Sequence, residues 1–363
     1  MPYTGGGRRD VTRRTTGIVI EGQDLGVRDV LDRAQLAEKI GVDSVWLVQL
    51  PSIRDSAGVL SAMAMCTERV TLGAGILPFY TRPPVMMAQT AATIDEISGG
   101  RFVLGVGVGH KLTAEWTLGM SLAKPVDTMR EYLTVVTSLL RDGEAHLDGT
   151  YYRAHAMYAS ARRPSLPAYL GVLGPRMCEL AGEVADGLLL WMCPASYVRD
   201  VAVPALRRGL ARAGRSLADF PVTVLVPGSV SDNRDSDRER LRRYLSTYSR
   251  VPNYRRMYEA SGYGSALLGG EIGDDLLDNV GVIGTHADVV SAIATYHEAG
   301  ATDVIITPMA EAHYDEGLWQ RTAEAVVAGA PVDAGAPAPA GALDPGLASA
   351  PAFAEAVGSV DKS

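Results

Sequence analysis

The chain has 363 residues, of which 47% are hydrophobic, and a formal net charge of −8 at pH 7. This acidic balance disfavours nucleic acid as a partner, and no apolar run reaches the length of a membrane span. Three scattered cysteines and six dispersed histidines lack redox or metal-ligand spacing, so we expect no metal, no membrane partner and a reducing cytoplasm.

The first part of the chain alternates between polar, strand-like and amphipathic segments. Met1–Arg14 is polar and basic without an apolar core, which predicts a flexible arm rather than a secretory signal. Thr16–Ile20 predicts a strand, and Val27–Ile40 predicts a helix with its apolar residues near one face. Gly41 ends this helix, and a short polar turn leads into the apolar strand Ser44–Val48.

This join of helix, glycine, polar turn and buried strand recurs at Ala181–Leu190 and at Glu298–Ile306. Strands that are buried on both faces and alternate with helices are typical of a parallel sheet. Eight strands are expected, at Thr16–Ile20, Ser44–Val48, Val70–Gly73, Phe102–Val106, Ala168–Gly171, Gly187–Trp191, Val222–Val226 and Val304–Thr307. They predict an α/β fold, a (β/α)8 TIM barrel, with an open doubly wound sheet as the alternative.

Two insertions interrupt this repeat, and the C-terminal end has a different composition. His146–Arg153 predicts a small hairpin that turns at Asp148-Gly149. Ser229–Ile283 predicts a long insertion after strand seven. We therefore expect the barrel domain at 15–329 and a disordered tail rich in Ala, Pro and Gly at 330–363.

The stretch Thr71–His110 holds two strands that each end in alternating glycines. Arg69–Gly75 and Arg101–Gly107 have nearly the same sequence, and the helix between them begins at Pro83-Pro84 and ends at Ser98–Gly100. Such glycines leave bare backbone on which a flat ligand can lie. The alternative explanation is that these small residues only allow a helix to pack closely. Neither turn has the Gly-x-Gly-x-x-Gly pattern of a Rossmann site. Two such turns on adjacent strands favour a ligand floor.

Functional residues of a barrel of this kind lie at the carboxyl ends of its strands. His110 directly follows the second glycine turn and can titrate near neutral pH, which favours a catalytic role over simple loop capping. Glu115 lies on the same loop, and a lone glutamate is as often a solvated charge as a functional group. Tyr80 could donate a hydrogen bond to a substrate or could only pack against neighbouring side chains. Candidates for substrate contact near the strand ends are Gln49, Trp116 and Trp191.

A third candidate segment, Gly171–Arg176, follows strand five and opens a helix. Pro175 at the first helical position leaves a helix N-terminus whose N–H groups suit a phosphate, and Gly174 allows close backbone approach. An ordinary turn is equally compatible with this segment alone. The run Arg234–Arg256 interleaves arginines with three tyrosines, but acidic residues dilute its charge. A solvated lid helix with inward tyrosines is therefore favoured over a nucleic-acid face.

Three segments together resemble signature segments of the bacterial luciferase-like superfamily. They are Thr71–Ile76, Ser98–His110 and Leu173–Gly187, and the closer match is the branch of coenzyme F420-dependent oxidoreductases. The resemblance covers roughly Thr15 to Val327. It implies a (β/α)8 barrel, commonly a homodimer, in which an insertion after strand seven shapes the pocket.

The resemblance also implies roles for single residues, including a non-proline cis bond between Gly75 and Ile76. The bulge behind the deazaflavin ring would be formed by Gly73, Ala74, Gly75 and Ile76, and the ring edge would be lined by Gly107, Val108 and Gly109. Leu173, Gly174 and Pro175 would hold the cofactor phosphate, beside Gly171, Val172 and Arg176. His110 matches a position where some relatives place an acidic residue near the reactive carbon. Many relatives carry an acidic residue followed by histidine where this chain has Gln49-Leu50, which removes one expected proton carrier.

We therefore expect an F420-dependent oxidoreductase that transfers hydride from reduced deazaflavin to an activated C=C, C=N or C=O of a small molecule. His110, with Tyr80 or Glu115, would supply the proton. The near alternative is an FMN-dependent luciferase-like monooxygenase. The alternative outside enzymes is a catalytically silent deazaflavin-binding protein, which the missing acid–histidine pair favours.

Overall fold

Parallel strands close into a barrel in this computed structural model, which describes residues 13–21, 25–111, 113–122, 124–270, 272–309 and 315–331. The described strands are β1 (Thr15–Val19), β2 (Ser44–Leu47), β3 (Thr71–Ala74), β4 (Leu77–Pro78), β5 (Phe102–Gly107), β6 (Glu144–Asp148), β7 (Arg153–Met157), β8 (Ala168–Gly171), β9 (Gly187–Trp191), β10 (Val222–Val230), β11 (Val282–Gly284) and β12 (Asp303–Thr307). Eight of them form the barrel, in the order β1, β2, β3, β5, β8, β9, β10 and β12. β12 pairs back onto β1 through Thr16 and Val304, which closes the ring.

Helices surround the barrel and connect its strands. They are α1 (Val27–Ile40), α2 (Ser56–Cys66), α3 (Pro84–Ile97), α4 (Pro125–Arg141), α5 (Pro175–Val184), α6 (Ala195–Tyr197), α7 (Val203–Arg212), α8 (Arg234–Ser249), α9 (Pro252–Ala260), α10 (Asp274–Val280), α11 (His286–Glu298) and α12 (Glu316–Ala328). Short 3₁₀ turns lie at Phe79–Thr81, Leu217–Asp219 and Ser265–Gly270, and π-helical turns at Thr113–Thr117 and Val198–Ala202. Among the helices described here, none has the length and apolar character that a bilayer span requires.

The barrel confirms the predicted fold and excludes the open doubly wound sheet. Helix α1 has its predicted bounds because Asp29 accepts a hydrogen bond from the Gly26 N–H (2.8 Å) at its start and Gly41 adopts φ 101° at its end. The predicted hairpin is also present, as β6 and β7. Its strands pair up to Asp148 and Arg153, so the turn spans 149–152 rather than lying at Asp148-Gly149.

The barrel interior below the strand ends is filled by a buried apolar cluster whose largest members are two aromatic residues, Trp46 and Tyr169, both at most 1% exposed. A Cβ atom added to Gly73 would lie 2.2 Å from the Trp46 indole, and one added to Gly187 would lie 2.4 Å from the Tyr169 ring. These two glycines therefore make room for the rings. Because the interior is packed in this way, the barrel is a solid core and not a channel.

The helices α8, α9 and α10 lie within the segment predicted as an insertion after strand seven. The chain leaves β10 at Val230 and returns to β11, which pairs with β10 in parallel from Gly228 to Val230. Arg242 of α8 is ion-paired with Asp274 of α10 (2.6 Å), which ties two of these helices together. Residues 1–12 and 332–363, which hold most of the predicted arm and tail, lie outside the described residues.

Candidate active site

A cavity of about 1090 Å³ opens at the carboxyl ends of the barrel strands. Its base is formed by apolar side chains that close the barrel interior, among them Ile76, Leu189 and Leu225. One side is built from the strand ends β3, β5 and β8 and the loops that follow them. The other side is built from the insertion helices α8 and α9. A volume of this size is typical of a site for a cofactor and a small molecule.

The glycine turns of β3 and β5 lie side by side, because the two strands pair in parallel. The peptide bond between Gly75 and Ile76 is cis, as the resemblance implied, and both residues line the cavity. The Ile76 side chain lies in a notch beside two glycines of the neighbouring strands. A Cβ atom would lie 3.0 Å from Ile76 Cγ1 if added to Gly107, and 2.5 Å from Ile76 Cγ2 if added to Gly171.

Three of the predicted ring contacts, Gly73, Ala74 and Gly107, are not among the described residues that line the cavity. Gly73 lies against the Trp46 indole, so packing explains this glycine. Ala74 is fully buried, and its carbonyl oxygen would lie 2.0 Å from a Cβ atom at Gly105. Bare backbone is therefore only part of the floor, and the side chain of Ile76 supplies the rest.

The candidate phosphate segment borders the cavity through Gly171, Val172, Leu173 and Gly174. Pro175 is the first residue of α5, and Gly174 precedes it with an extended φ of −76°. The Tyr197 hydroxyl donates a hydrogen bond to the Leu173 carbonyl (2.5 Å), which fixes this turn against α6. Pro175 and Arg176 are exposed and lie outside the described cavity lining. The helix N-terminus thus reaches the cavity through Gly174 and Met177.

His110 lines the cavity and contacts two tyrosine rings of the insertion. Its ring centroid lies 5.4 Å from that of Tyr248 in an edge-on arrangement and 5.9 Å from that of Tyr254 in a stacked one. Burial lowers the pKa of His110 below its ordinary value of 6.5. Burial therefore favours the neutral form of this imidazole, which lies on the cavity lining.

Tyr80 also lines the cavity, close to the turn that carries Gly109. Gly109 has φ 61°, and a Cβ atom at this position would lie 2.9 Å from the Tyr80 hydroxyl oxygen. A side chain here would thus be strained and would collide with the phenol. Burial raises the pKa of Tyr80, which keeps its hydroxyl protonated and able to donate a hydrogen bond.

Two predicted residues, Glu115 and Trp116, do not reach the cavity. Both lie on the π-helical turn Thr113–Thr117, whose described residues contribute Thr113 to the lining. The Glu115 carboxylate faces Lys111 at 3.6 Å, and Trp116 is 85% exposed. The loop after His110 turns these side chains outward, so the structure does not support a catalytic role for Glu115 or substrate contact by Trp116.

The other predicted substrate contacts, Gln49 and Trp191, do line the cavity. The amide of Gln49 is occupied, because its Oε1 accepts a hydrogen bond from the Ser56 N–H (2.7 Å) and its Nε2 donates one to the Leu50 carbonyl (3.0 Å). This residue therefore holds the start of α2. The Trp191 ring faces Tyr244 with centroids 6.5 Å apart.

The insertion was expected to shape the pocket, but none of its residues was named as a candidate site residue. Tyr244, Tyr248 and Tyr254 line the cavity, and the hydroxyl oxygens of Tyr244 and Tyr248 are 3.1 Å apart. Burial raises the pKa of all three phenols. A signal was present, since the lining residues of α8 recur at helical spacing, at Arg240, Arg243, Tyr244, Thr247 and Tyr248. The mixed polarity of these lining residues hid the pattern, because a helix that faces a cavity does not need an apolar face.

Comparisons with known proteins agree with this architecture. Residues 10–303 match the family model described as luciferase-like monooxygenase. The chain is 30% identical over 291 residues to a 5,10-methylenetetrahydromethanopterin reductase of Archaeoglobus fulgidus, covering 75% of this chain and 86% of the relative. It is 31% identical over 241 residues to an F420-dependent glucose-6-phosphate dehydrogenase of Microbacterium testaceum, covering 62% and 71%.

A solved structure shares the fold at lower identity. An F420-dependent secondary alcohol dehydrogenase, in complex with an F420–acetone adduct, superposes with a TM-score of 0.74 and 20% identity, covering 88% of this chain and 100% of that one. The barrel, the cis bond at Gly75–Ile76 and the match over most of the chain lead to one conclusion. The chain belongs to the luciferase-like monooxygenase family.

Proposed function

We propose that this protein is an F420-dependent oxidoreductase that acts as a reductase on a small molecule. The observation that carries the proposal is the cavity at the glycine-bearing strand ends, with His110 on one wall and the N-terminus of α5 on another. The F420-dependent enzymes among its sequence relatives support this cofactor. Reduced F420, when bound, supplies a hydride from its deazaflavin ring to an activated C=C, C=N or C=O.

The residues present suit a planar cofactor with a phosphate. Ile76 and Leu225 give an apolar base on which a flat ring can rest, and Gly109 keeps the wall beside it free of a side chain. The N-terminus of α5 at Gly174 offers backbone N–H groups and a favourable dipole for an anion. The protein's own contribution is then to orient two ligands and to exclude water between them.

Proton supply is assigned to His110, with Tyr80 as a hydrogen-bond donor. Both side chains line the cavity from loops that follow neighbouring strands. Gln49 is hydrogen-bonded to Ser56 at the start of α2 and to the Leu50 carbonyl. An amide does not carry a proton, so Gln49 at the end of β2 is not assigned this role. A positioned acid or base of this kind contributes about 10²- to 10⁴-fold in rate.

The first experiment is a titration of the purified protein with coenzyme F420 and with FMN, followed by fluorescence. We expect F420 to bind and FMN to bind weakly. Gly171→Ala should weaken F420 binding because its Cβ atom would displace Ile76 from the base, whereas Gly58→Ala, where an added Cβ meets nothing within 4 Å, should not. Tight binding of FMN without binding of F420 would contradict the proposal.

The second candidate is an FMN-dependent monooxygenase, which the description of the matching family favours. Oxygen consumption that depends on reduced FMN would support it. A screen of reduced F420 against activated alkenes, imines and ketones separates both enzymes from a silent deazaflavin-binding protein, since turnover with any acceptor excludes the latter.

The homodimer and the cytoplasmic location that the sequence led us to expect remain part of this proposal. Helices α2 and α3 pack together and expose Met65 (77% exposed) and Met86 (50% exposed), which suits a subunit contact. Sedimentation of the purified protein would give a single species of twice the chain mass. A monomer at micromolar concentration would contradict this part.

A further inference from the structure

The charged side chains on the cavity lining are mainly positive, although the chain as a whole has a net charge of −8. Basic side chains reach the lining from three elements: Lys111 follows β5, Arg240 and Arg243 lie on α8, and Arg256 lies on α9. Among the described lining residues, Glu21 is the acidic one. The cavity therefore has a positive rim in an acidic protein, which favours anionic ligands.

Arginines of the insertion differ in position and in pairing. Arg238 and Arg242 lie away from the described lining and are ion-paired with carboxylates of α10. Their hydrogen bonds to Asp278 and Asp274 raise the pKa of both guanidinium groups. These two arginines have a structural task, because they join α8 to α10.

Of the three arginines on the described lining, Arg240 is paired with Asp237 (2.8 Å), whereas Arg243 and Arg256 are held less tightly. Arg243 Nη1 lies 4.0 Å from Glu239 Oε1, at the limit of an ion pair, and its side chain is 64% exposed. Arg256 donates hydrogen bonds to two neutral acceptors, the Pro252 carbonyl (3.0 Å) and Asn253 Oδ1 (2.9 Å). Both guanidinium groups thus keep donors for a ligand, and a guanidinium suits two-point binding of a carboxylate or phosphate.

Neutral hydrogen-bonding groups complete this rim. Thr247 lies on the cavity-facing side of α8, one turn beyond Arg243, and Asn253 lies at the start of α9. A helix that only covers the cavity as a solvated lid would also carry arginines, but its arginines would point to solvent and not to the cavity lining. Arg255 on α9 is such an outward arginine, since it is paired with Glu259 (2.9 Å) and is absent from the described lining.

We propose that Arg243 and Arg256 form an anion-binding site at the mouth of the cavity, to which Lys111, already ion-paired with Glu115 at 3.6 Å, adds only nearby positive charge. The ligand group is a carboxylate or a phosphate, carried either by the second substrate or by the tail of the cofactor. The proposal deepens the proposed function and rests on it, because it assumes that the cavity holds a redox cofactor and its partner. It assigns to α8 and α9 the selection of acidic ligands over neutral ones.

The experiment uses the full-length protein, the single variants Arg243→Ala and Arg256→Ala, their double variant, and Arg255→Ala as the matched control. Each is titrated with F420 and with its deazaflavin fragment that lacks the phosphate and the glutamates. The binding of inorganic phosphate and of citrate to the cofactor-free and F420-loaded forms of each protein is then measured by calorimetry at constant ionic strength. We expect each mouth arginine to contribute about tenfold to the affinity for one anionic ligand, and Arg255→Ala to change nothing.

The outcomes separate the two sources of the anion. Weaker binding of F420 by the double variant, with unchanged binding of the fragment, would assign the site to the cofactor tail. Unchanged F420 binding with lost binding of phosphate or citrate would assign it to the substrate. If the double variant binds every probe as Arg255→Ala does, the anion site is wrong. If the wild type binds neither F420 nor the fragment, the proposed function fails, while the phosphate and citrate titrations of the cofactor-free protein still test the site.

Discussion

The base of the cavity on the barrel side presents backbone and apolar side chains, whereas the insertion side presents phenols and guanidinium groups. On the barrel side, Gly75, Ile76 and Gly171 are held by parallel strand pairing and close contacts. On the insertion side, Tyr248 and Arg256 stand on helices that are tied mainly by packing and ion pairs. The first surface suits a ring of fixed shape, and the second suits a ligand with polar groups. On the proposed function, we infer that the ring of the cofactor and the substrate are recognised by separate parts of the chain.

The largest effect is expected from His110→Ala, which removes the proton carrier where the two sides meet. Turnover of reduced F420 with an acceptor should fall about 10²- to 10⁴-fold, while F420 binding changes little. Steady-state kinetics and a fluorescence titration measure the two quantities. His146→Ala, on the exposed hairpin, is the matched control. Equal turnover in both variants would remove His110 from the mechanism.

The pH profile tests the same residue in the wild type. Because burial lowers the pKa of His110, its imidazolium forms at lower pH than that of an ordinary histidine. If this imidazolium donates the proton, the rate should rise as the pH falls through the lowered pKa. This rise should be absent in His110→Ala. A rate that falls with acidification in the wild type would assign the opposite role, that of a base.

A large effect on stability, rather than activity, is expected from Gly73→Ala. Its Cβ atom would lie 2.2 Å from the Trp46 indole inside the barrel, so the variant should lose about 3 kcal/mol of unfolding free energy in urea. Gly58→Ala on α2 meets open space and should be neutral or slightly stabilising. If Gly73→Ala were as stable as the wild type but bound F420 more weakly, Gly73 would instead be part of the surface that contacts the cofactor.

A smaller effect is expected from Tyr248→Phe, which removes one hydroxyl of the Tyr244–Tyr248 pair. The loss of one hydrogen-bonding group corresponds to about 1 kcal/mol, or roughly fivefold. On the division proposed above, this loss should appear in the KM for the acceptor. Tyr80→Phe, on the barrel side, provides the comparison. If both variants change F420 affinity equally, the two sides do not have separate ligands.

The smallest effect is expected from Asp274→Asn, which weakens the ion pairs between α10 and α8. Arg238 and Arg242 both contact this carboxylate, which is exposed to solvent. We expect faster amide hydrogen exchange in α8 and α10 without a change in the barrel strands. Exchange that quickens equally in β3 and β5 would show that the insertion and the barrel open together.

The barrel could be predicted from the sequence because its strands are short, apolar and framed by glycine. Gly75, Ile76, His110 and Gly174 could be named as candidates because each follows a predicted strand, and all four line the cavity. Sequence reasoning did not find that Gly73 accommodates Trp46, because this contact joins neighbouring strands through side-chain packing. The tyrosines of α8 were expected to face inward on a lid, but they were not identified as site residues. Which face of a polar helix meets a cavity depends on its tertiary placement, which spacing alone does not give.

The pairing of β10 with β11 has a consequence for how this protein can diversify. Gly228 and Val282 are neighbours in parallel strands, so the chain leaves the barrel and comes back at adjacent points about 4.8 Å apart. The length of the segment 231–281 can therefore change without moving the strands, provided that core contacts such as those of Leu241, Leu245 and Met257 are kept. On the proposed function, a change in this segment would alter which substrate is bound and leave the redox chemistry to the barrel.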